Sequence, residues 1–260
     1  MKPDLTLQKR LLKSLGFSFL EEPLELSAPP PPQAATPAPR RRQQAPPPPP
    51  KPAEEKLPPF SSLPDLAPGE RTAALGEIAR EVAGCQRCIL SRARRNPLPG
   101  SGPLDPTFAL ILEIPDPAQD ESASYTAGQA GGLLGKIVEA IGSRLDECFV
   151  TFATKCHSLP FRPPHAPEVE ACRPYLVRQM ELLRPKTIVC FGPAGLGALL
   201  PSAVAGGPNA SRGKVLEYRG VPLLMTLPLP AIVAHRSRKK TVWEDLQRLM
   251  AALQDQRSLE

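Results

Sequence analysis

Downstream of residue 70 the apolar positions follow two alternating patterns. Phe108 to Ile114, Phe149 to Thr154, Thr187 to Phe191 and Val221 to Leu227 are short, nearly continuous apolar runs, the pattern of strands buried on both faces. Between and around them, 71–83, Leu133 to Ile141, 167–183, a segment beyond Gly192 and 239–253 carry apolar residues at helical spacing. Strands alternating with helices predict an α/β domain built on a parallel sheet covered on both faces. Ligands of such sheets bind outside the carboxyl ends of the strands, so the loops after Ile114, Thr154, Gly192 and Leu227 are where chemistry is expected. No internal repeat is visible.

Upstream, the pattern changes. Leu5, Leu12 and Leu15, with Leu11 beside them, recur at roughly helical spacing, so a short amphipathic helix is expected within residues 1–20, over 4–20. Residues 21–70 read as a Pro/Ala-rich disordered linker, and 71–260 as the folded domain. Of 36 prolines, 18 fall in the first 70 residues, which excludes one uniform globule. The helix is either a frayed terminus on a spacer or a docking element for a protein partner. Arg40 to Arg42, inside the linker, read as a solvated charge run. The net charge of +6 suits a polyanionic partner without requiring one. No apolar run is long enough for a membrane span, and charges interrupt the apolar N-terminus, so a cytoplasmic, monomeric protein without membrane contact is expected.

In that compartment the six cysteines are read as metal ligands or buried thiols rather than disulfides. Cys85 and Cys88 are separated by two residues, and Cys156 and Cys172 by fifteen. Four thiolates complete a tetrahedral site, and spacing alone leaves zinc and an iron–sulfur cluster both open. Cys148 and Cys190, at or within strands, read as small buried apolar residues.

Several ordered pieces then carry a resemblance. The Cys85/Cys88 pair is followed by Leu90, Arg94 and Pro99-Gly100-Ser101-Gly102. Glu113-Ile114-Pro115 ends the first strand, with Asp120 beyond it, and Ala130-Gly131-Gly132-Leu133-Leu134 and Lys155-Cys156 come next. Glu168 precedes Cys172, Pro174 and Tyr175; Pro185-Lys186 leads into a strand ending Phe191-Gly192; Lys239, Trp243, Asp245 and Leu246 close the series. From about residue 78 to 250 the chain resembles the family 4, iron–sulfur uracil-DNA glycosylases. The resemblance implies a three-layer sandwich with a four-stranded parallel sheet between helices. It also implies a structural [4Fe–4S] cluster on Cys85, Cys88, Cys156 and Cys172, with zinc as the alternative.

The family's catalytic motifs are degraded here. Where it has Gly-Glu-x-Pro-Gly this chain has Leu112, Glu113, Ile114, Pro115 and Asp116, which keeps the carboxylate but replaces both glycines. Thr126 stands where the family has a stacking phenylalanine, with Tyr125 one residue earlier as a substitute ring. Phe152 replaces the asparagine that reads the uracil edge, and its ring can neither donate nor accept a hydrogen bond. Leu229, in Leu229-Pro230-Ala231, replaces the histidine that supports the anionic uracil oxygen; His157 and His235 fall elsewhere and read as loop histidines. Losing one preorganised donor to a developing anion costs on the order of 10²- to 10³-fold in rate. Two basic tracts flank the expected groove: Arg92, Arg94 and Arg95, then Arg236, Arg238, Lys239 and Lys240. The expectation is a DNA-binding iron–sulfur protein with little or no uracil excision. The alternatives are a divergent glycosylase acting on uracil or another deaminated base through Glu113 and Tyr125, and a catalytically silent interaction scaffold.

Overall fold

The computed structural model describes residues 57–257. The helix expected over 4–20, the Arg40 to Arg42 run and the linker as far as residue 56 lie outside the described residues. Five strands, β1 (Phe108–Leu112), β2 (Cys148–Phe152), β3 (Thr187–Phe191), β4 (Val215–Tyr218) and β5 (Val221–Thr226), form one sheet in the order β2-β1-β3-β5-β4. All pairings are parallel except β4 with β5. Seven α-helices accompany them among the described residues: α1 (Pro68–Gly84), α2 (Pro117–Ser122), α3 (Gly128–Ala140), α4 (Ala166–Leu183), α5 (Pro193–Leu199), α6 (Leu229–Ala234) and α7 (Arg238–Arg257).

Every residue of β1, β2 and β3 is buried, which is why these segments read as continuous apolar runs. The two-residue period of a strand divides them between two cores. Leu110, Leu112, Val150, Phe152 and Phe191 pack on one side with residues of α3, α6 and α7. Ala109, Ile111, Phe149, Ile188 and Cys190 pack on the other with α4 and α5. The three-layer α/β architecture is therefore as expected.

Two corrections follow. The sheet has a fifth strand, β4, that the expected four omitted. Its four residues include Glu217 and remain largely accessible, so no buried run announces it. Tyr218 pairs with Val221 across a two-residue turn in which Arg219 (φ 51°) and Gly220 (φ 86°) both have positive φ, the geometry of a tight hairpin. The folded part also starts before residue 71. Phe60 is buried, its ring edge-on to Tyr218 at 5.9 Å, and its N–H donates to the Arg219 carbonyl at 2.9 Å. Leu57, Phe60 and Leu63, within the stretch assigned by sequence to the linker, pack on the domain core, while the residues from 64 to 70 are exposed.

One buried carboxylate fixes the far end of the sheet. Asp245 of α7 accepts from Thr226 at the end of β5 (2.8 Å), from Arg212 (2.9 and 3.0 Å) and from Arg248 (3.0 Å). It holds α7 against the point where the chain leaves the sheet toward α6. No helix among the described residues is long and apolar enough to cross a membrane.

Candidate functional site

The chain leaves β1 through Leu112-Glu113-Ile114, β3 through Phe191 and β5 through Pro228-Leu229-Pro230-Ala231. With Ala130 of α3, Asp116, Gln119, and Phe161 and Pro163 from the loop after β2, these residues line a cavity of about 580 Å3, its open mouth included. It lies at the carboxyl ends of the strands, where the sheet rule puts a ligand. Its wall is mostly hydrocarbon, with Glu113, Asp116 and Gln119 as the polar members.

Glu113 is half-buried, and its Oε1 accepts the Ala194 N–H at 3.3 Å. Burial pushes its carboxyl up from 4.5 to about 7, and the single backbone donor opposes this only in part. Gly192 makes room for the carboxyl. A Cβ there would lie 2.4 Å from the Glu113 Cδ, and the residue's φ of +109° disfavours a side chain in any case.

Asp116, read from sequence as a bulky charged replacement, is the cap of α2. Its Oδ1 accepts the Gln119 N–H at 2.9 Å while Gln119 Oε1 accepts the Asp116 N–H at 3.0 Å. Gln119 was missed by sequence reasoning, although Asp116-Pro117-Ala118-Gln119 is a legible capping signal. Its Nε2 donates to the Tyr125 carbonyl at 2.9 Å, so the amide braces the wall.

Tyr125, expected as a substitute stacking ring, does not line the cavity. Its hydroxyl accepts the Gly100 N–H at 2.7 Å, its ring stacks on Phe152 at 5.8 Å, and burial pushes its phenol up to about 12. Thr126 is exposed, its hydroxyl 3.2 Å from that of Ser124. Phe152 is 0% exposed and belongs to the core behind the cavity. Leu229, 2% exposed, is in the wall itself. His157 is buried with Nδ1 2.9 Å from the Pro115 carbonyl; His235 is exposed beyond α6. Phe161 is the second residue that sequence reasoning missed, and no periodicity marks it within its proline-rich loop.

The four cysteines named from sequence come together. Cys85 and Cys88 after α1, Cys156 after β2 and Cys172 in α4 line one narrow cleft with Val82, Leu90 and Tyr175. Arg94 Nη1 donates to the Cys156 sulfur at 3.0 Å, and the Lys155 N–H to that of Cys172 at 3.3 Å. Burial pushes the Cys156 thiol up to about 11, against the pull of Arg94, and raises that of Cys172. The Lys155 ammonium is buried beside them, satisfied by Thr151 Oγ1 (2.6 Å), Gln179 Oε1 (2.7 Å) and the Phe152 carbonyl (2.8 Å). Among the described residues no three His, Cys, Asp or Glu side chains are grouped so as to hold a single metal ion. The sulfurs border a shared space rather than a closed shell. Four soft sulfur donors, one facing an arginine and another a backbone N–H, fit a metal–sulfur group.

The family model of the uracil DNA glycosylase superfamily matches residues 99–247, more than half the chain. This protein belongs to the uracil-DNA glycosylase superfamily. Its relatives include a type-4 uracil-DNA glycosylase of Archaeoglobus fulgidus, 36% identical over 119 residues, 46% of this chain and 60% of that protein. A type-4 uracil-DNA glycosylase of Pyrobaculum aerophilum is 34% identical over 126 residues, 48% and 64% of the two chains. One of Thermotoga maritima is 26% identical over 146 residues, 56% and 72%. The chain thus spans about 60% of the length of the first two relatives.

Within this superfamily member the two basic tracts separate. Arg94 points inward: besides Cys156 it donates to the carbonyls of Val82 (3.0 Å), Ala83 (2.8 Å) and Cys85 (3.1 Å), so its expected role at DNA is corrected to holding the cysteine loop. Arg95 is exposed and paired with Glu121 at 2.9 Å, and Arg92 is exposed. Arg236, Arg238, Lys239 and Lys240 are all exposed, immediately after the helix whose first residues wall the large cavity.

Proposed function

We propose that this superfamily member binds DNA, holds a [4Fe–4S] cluster, and excises uracil little or not at all. The observation that carries the last point is Leu229. It forms cavity wall where the resemblance expects an imidazole, and the one amide in that wall, Gln119, is engaged on both ends by the backbone. An aliphatic side chain gives a departing uracil anion no donor. Phe152 adds to this, because a ring sunk in the core cannot read a base edge.

Cys85, Cys88, Cys156 and Cys172 would hold the cluster, which when bound supplies a cross-link between three separate chain segments. A zinc ion draws its sulfurs to about 2.3 Å from itself. Four cysteines lining one cavity, in a chain whose relatives are type-4 uracil-DNA glycosylases, support the cluster, in which each sulfur would sit on its own iron. Elemental analysis after anaerobic purification tests this: about four iron atoms per chain are expected, and stoichiometric zinc would refute it.

The exposed Arg236, Arg238, Lys239 and Lys240 support phosphate contact beside the cavity mouth. Retention on duplex DNA should weaken with salt at a slope of about −0.9 per phosphate neutralised, and replacing Arg236 and Arg238 by alanine should flatten it by about two contacts. Absence of binding at low salt would favour the scaffold reading. Single-turnover assays on uracil duplexes decide the chemistry. The expected result is no cleavage above background; appreciable cleavage abolished by Glu113→Ala would overturn the reading in favour of an active divergent glycosylase.

A further inference from the structure

The superfamily member has lost an aromatic ring at Thr126, and Tyr125 is committed to the core, yet the cavity wall does contain one exposed ring. Phe161 lines the cavity and remains 40% exposed. The His157 imidazole lies beside it in an offset stack, 10° between planes and 5.7 Å between centroids. His157 in turn reaches the Pro115 carbonyl at 2.9 Å, which anchors the pair to the loop carrying Glu113.

The loop that presents this ring is braced. The Ser158 hydroxyl donates to the Arg162 carbonyl (3.1 Å) and accepts the Arg162 N–H (3.0 Å), closing a ring around Phe161. The Arg162 guanidinium makes a two-pronged pair with Glu168 (2.6 and 2.8 Å), which also accepts the His165 N–H at 2.7 Å at the entry to α4. An exposed aromatic residue held by such a frame is preorganised for contact rather than a side chain left out of the core. Leu159, two residues earlier, is 78% exposed on the same loop.

We propose that Phe161 is the platform on which an extrahelical nucleobase stacks in this protein, replacing from the loop after β2 the ring missing at Thr126. His157 backs the ring, and Arg162 and Glu168 are positioning residues. The inference rests on the DNA-binding reading above. It commits to a flat π-ligand because the one exposed ring of the cavity stands in a wall that is mostly hydrocarbon.

The test compares affinity for a fully paired duplex with that for a duplex bearing one bulged deoxyuridine, an extrahelical base that needs no unpairing. The wild-type chain should prefer the bulged duplex. Stacking on an aromatic side chain is lost on alanine substitution, so Phe161→Ala should reduce that preference about tenfold or more while leaving paired-duplex affinity and melting temperature unchanged. Phe161→Trp should retain the preference, and Arg162→Ala should weaken it. An undiminished preference in folded Phe161→Ala, or equal wild-type affinity for both duplexes, overturns the inference and leaves the DNA-binding reading standing. Failure of the wild-type chain to bind either duplex overturns both.

Discussion

Glu113 has a titration that the fold controls. Its carboxyl moves from 4.5 to about 7 because burial disfavours the charged form more than the Ala194 N–H favours it. The folded state therefore binds the proton more tightly than the unfolded chain. The stabilisation is fully present below about pH 4.5 and is lost as pH rises through about 7. Denaturant melts should show wild-type stability falling by at most about 3 kcal/mol over that window, and Glu113→Gln should remove most of the slope. Phe152 offers a second measurement at this scale. It is buried against Tyr125, so Phe152→Asn leaves a void and an unmatched amide, and should lower stability by about 3 kcal/mol or more in thermal melts. That substitution alone is not expected to raise uracil excision, because Leu229 still walls the cavity.

Among the elements, the turn from β3 into α5 has the tightest tolerance. Gly192 combines φ +109° with a Cβ position 2.4 Å from the Glu113 Cδ. Gly192→Ala should destabilise by about 1–3 kcal/mol and displace the carboxyl, so the pH slope that Glu113 produces should shrink in the same melts. The capping of α2 shows how a local signal can be misassigned. Asp116 was legible as a departure from a glycine motif, but its partner Gln119 three residues on shows that the carboxylate is spent on helix ends. The β4–β5 hairpin was just as local and went unread, because an edge strand with one buried side chain in four carries neither alternation nor a run.

For the whole molecule, the boundary of the folded unit makes the clearest prediction. Phe60 packs on Tyr218 and hydrogen-bonds to the hairpin turn, while Arg71 of α1 donates to the carbonyls of Leu182 (2.6 Å) and Leu104 (2.7 Å). Removing residues 1–56 should leave the melting temperature unchanged. Removing 1–70 takes Phe60 away as well and should cost about 3 kcal/mol or more, a difference that calorimetry on the two truncations would register. The cysteine cluster joins distant parts in a similar way, since its four side chains come from the end of α1, the exit of β2 and the interior of α4.

Sequence by itself determined the layered α/β plan and the four parallel strands, because burial on two faces leaves its mark on consecutive residues. It also showed that Phe152 and Leu229 carry no hydrogen-bonding group, since a residue's chemistry is known before its position. Only the tertiary structure decided where each side chain was used. Tyr125 and Arg94, both plausible at a nucleic-acid surface, are bound inward by Gly100 and by the cysteine loop, whereas Phe161 faces the cavity. Such assignments depend on contacts between residues tens of positions apart, which no local pattern encodes.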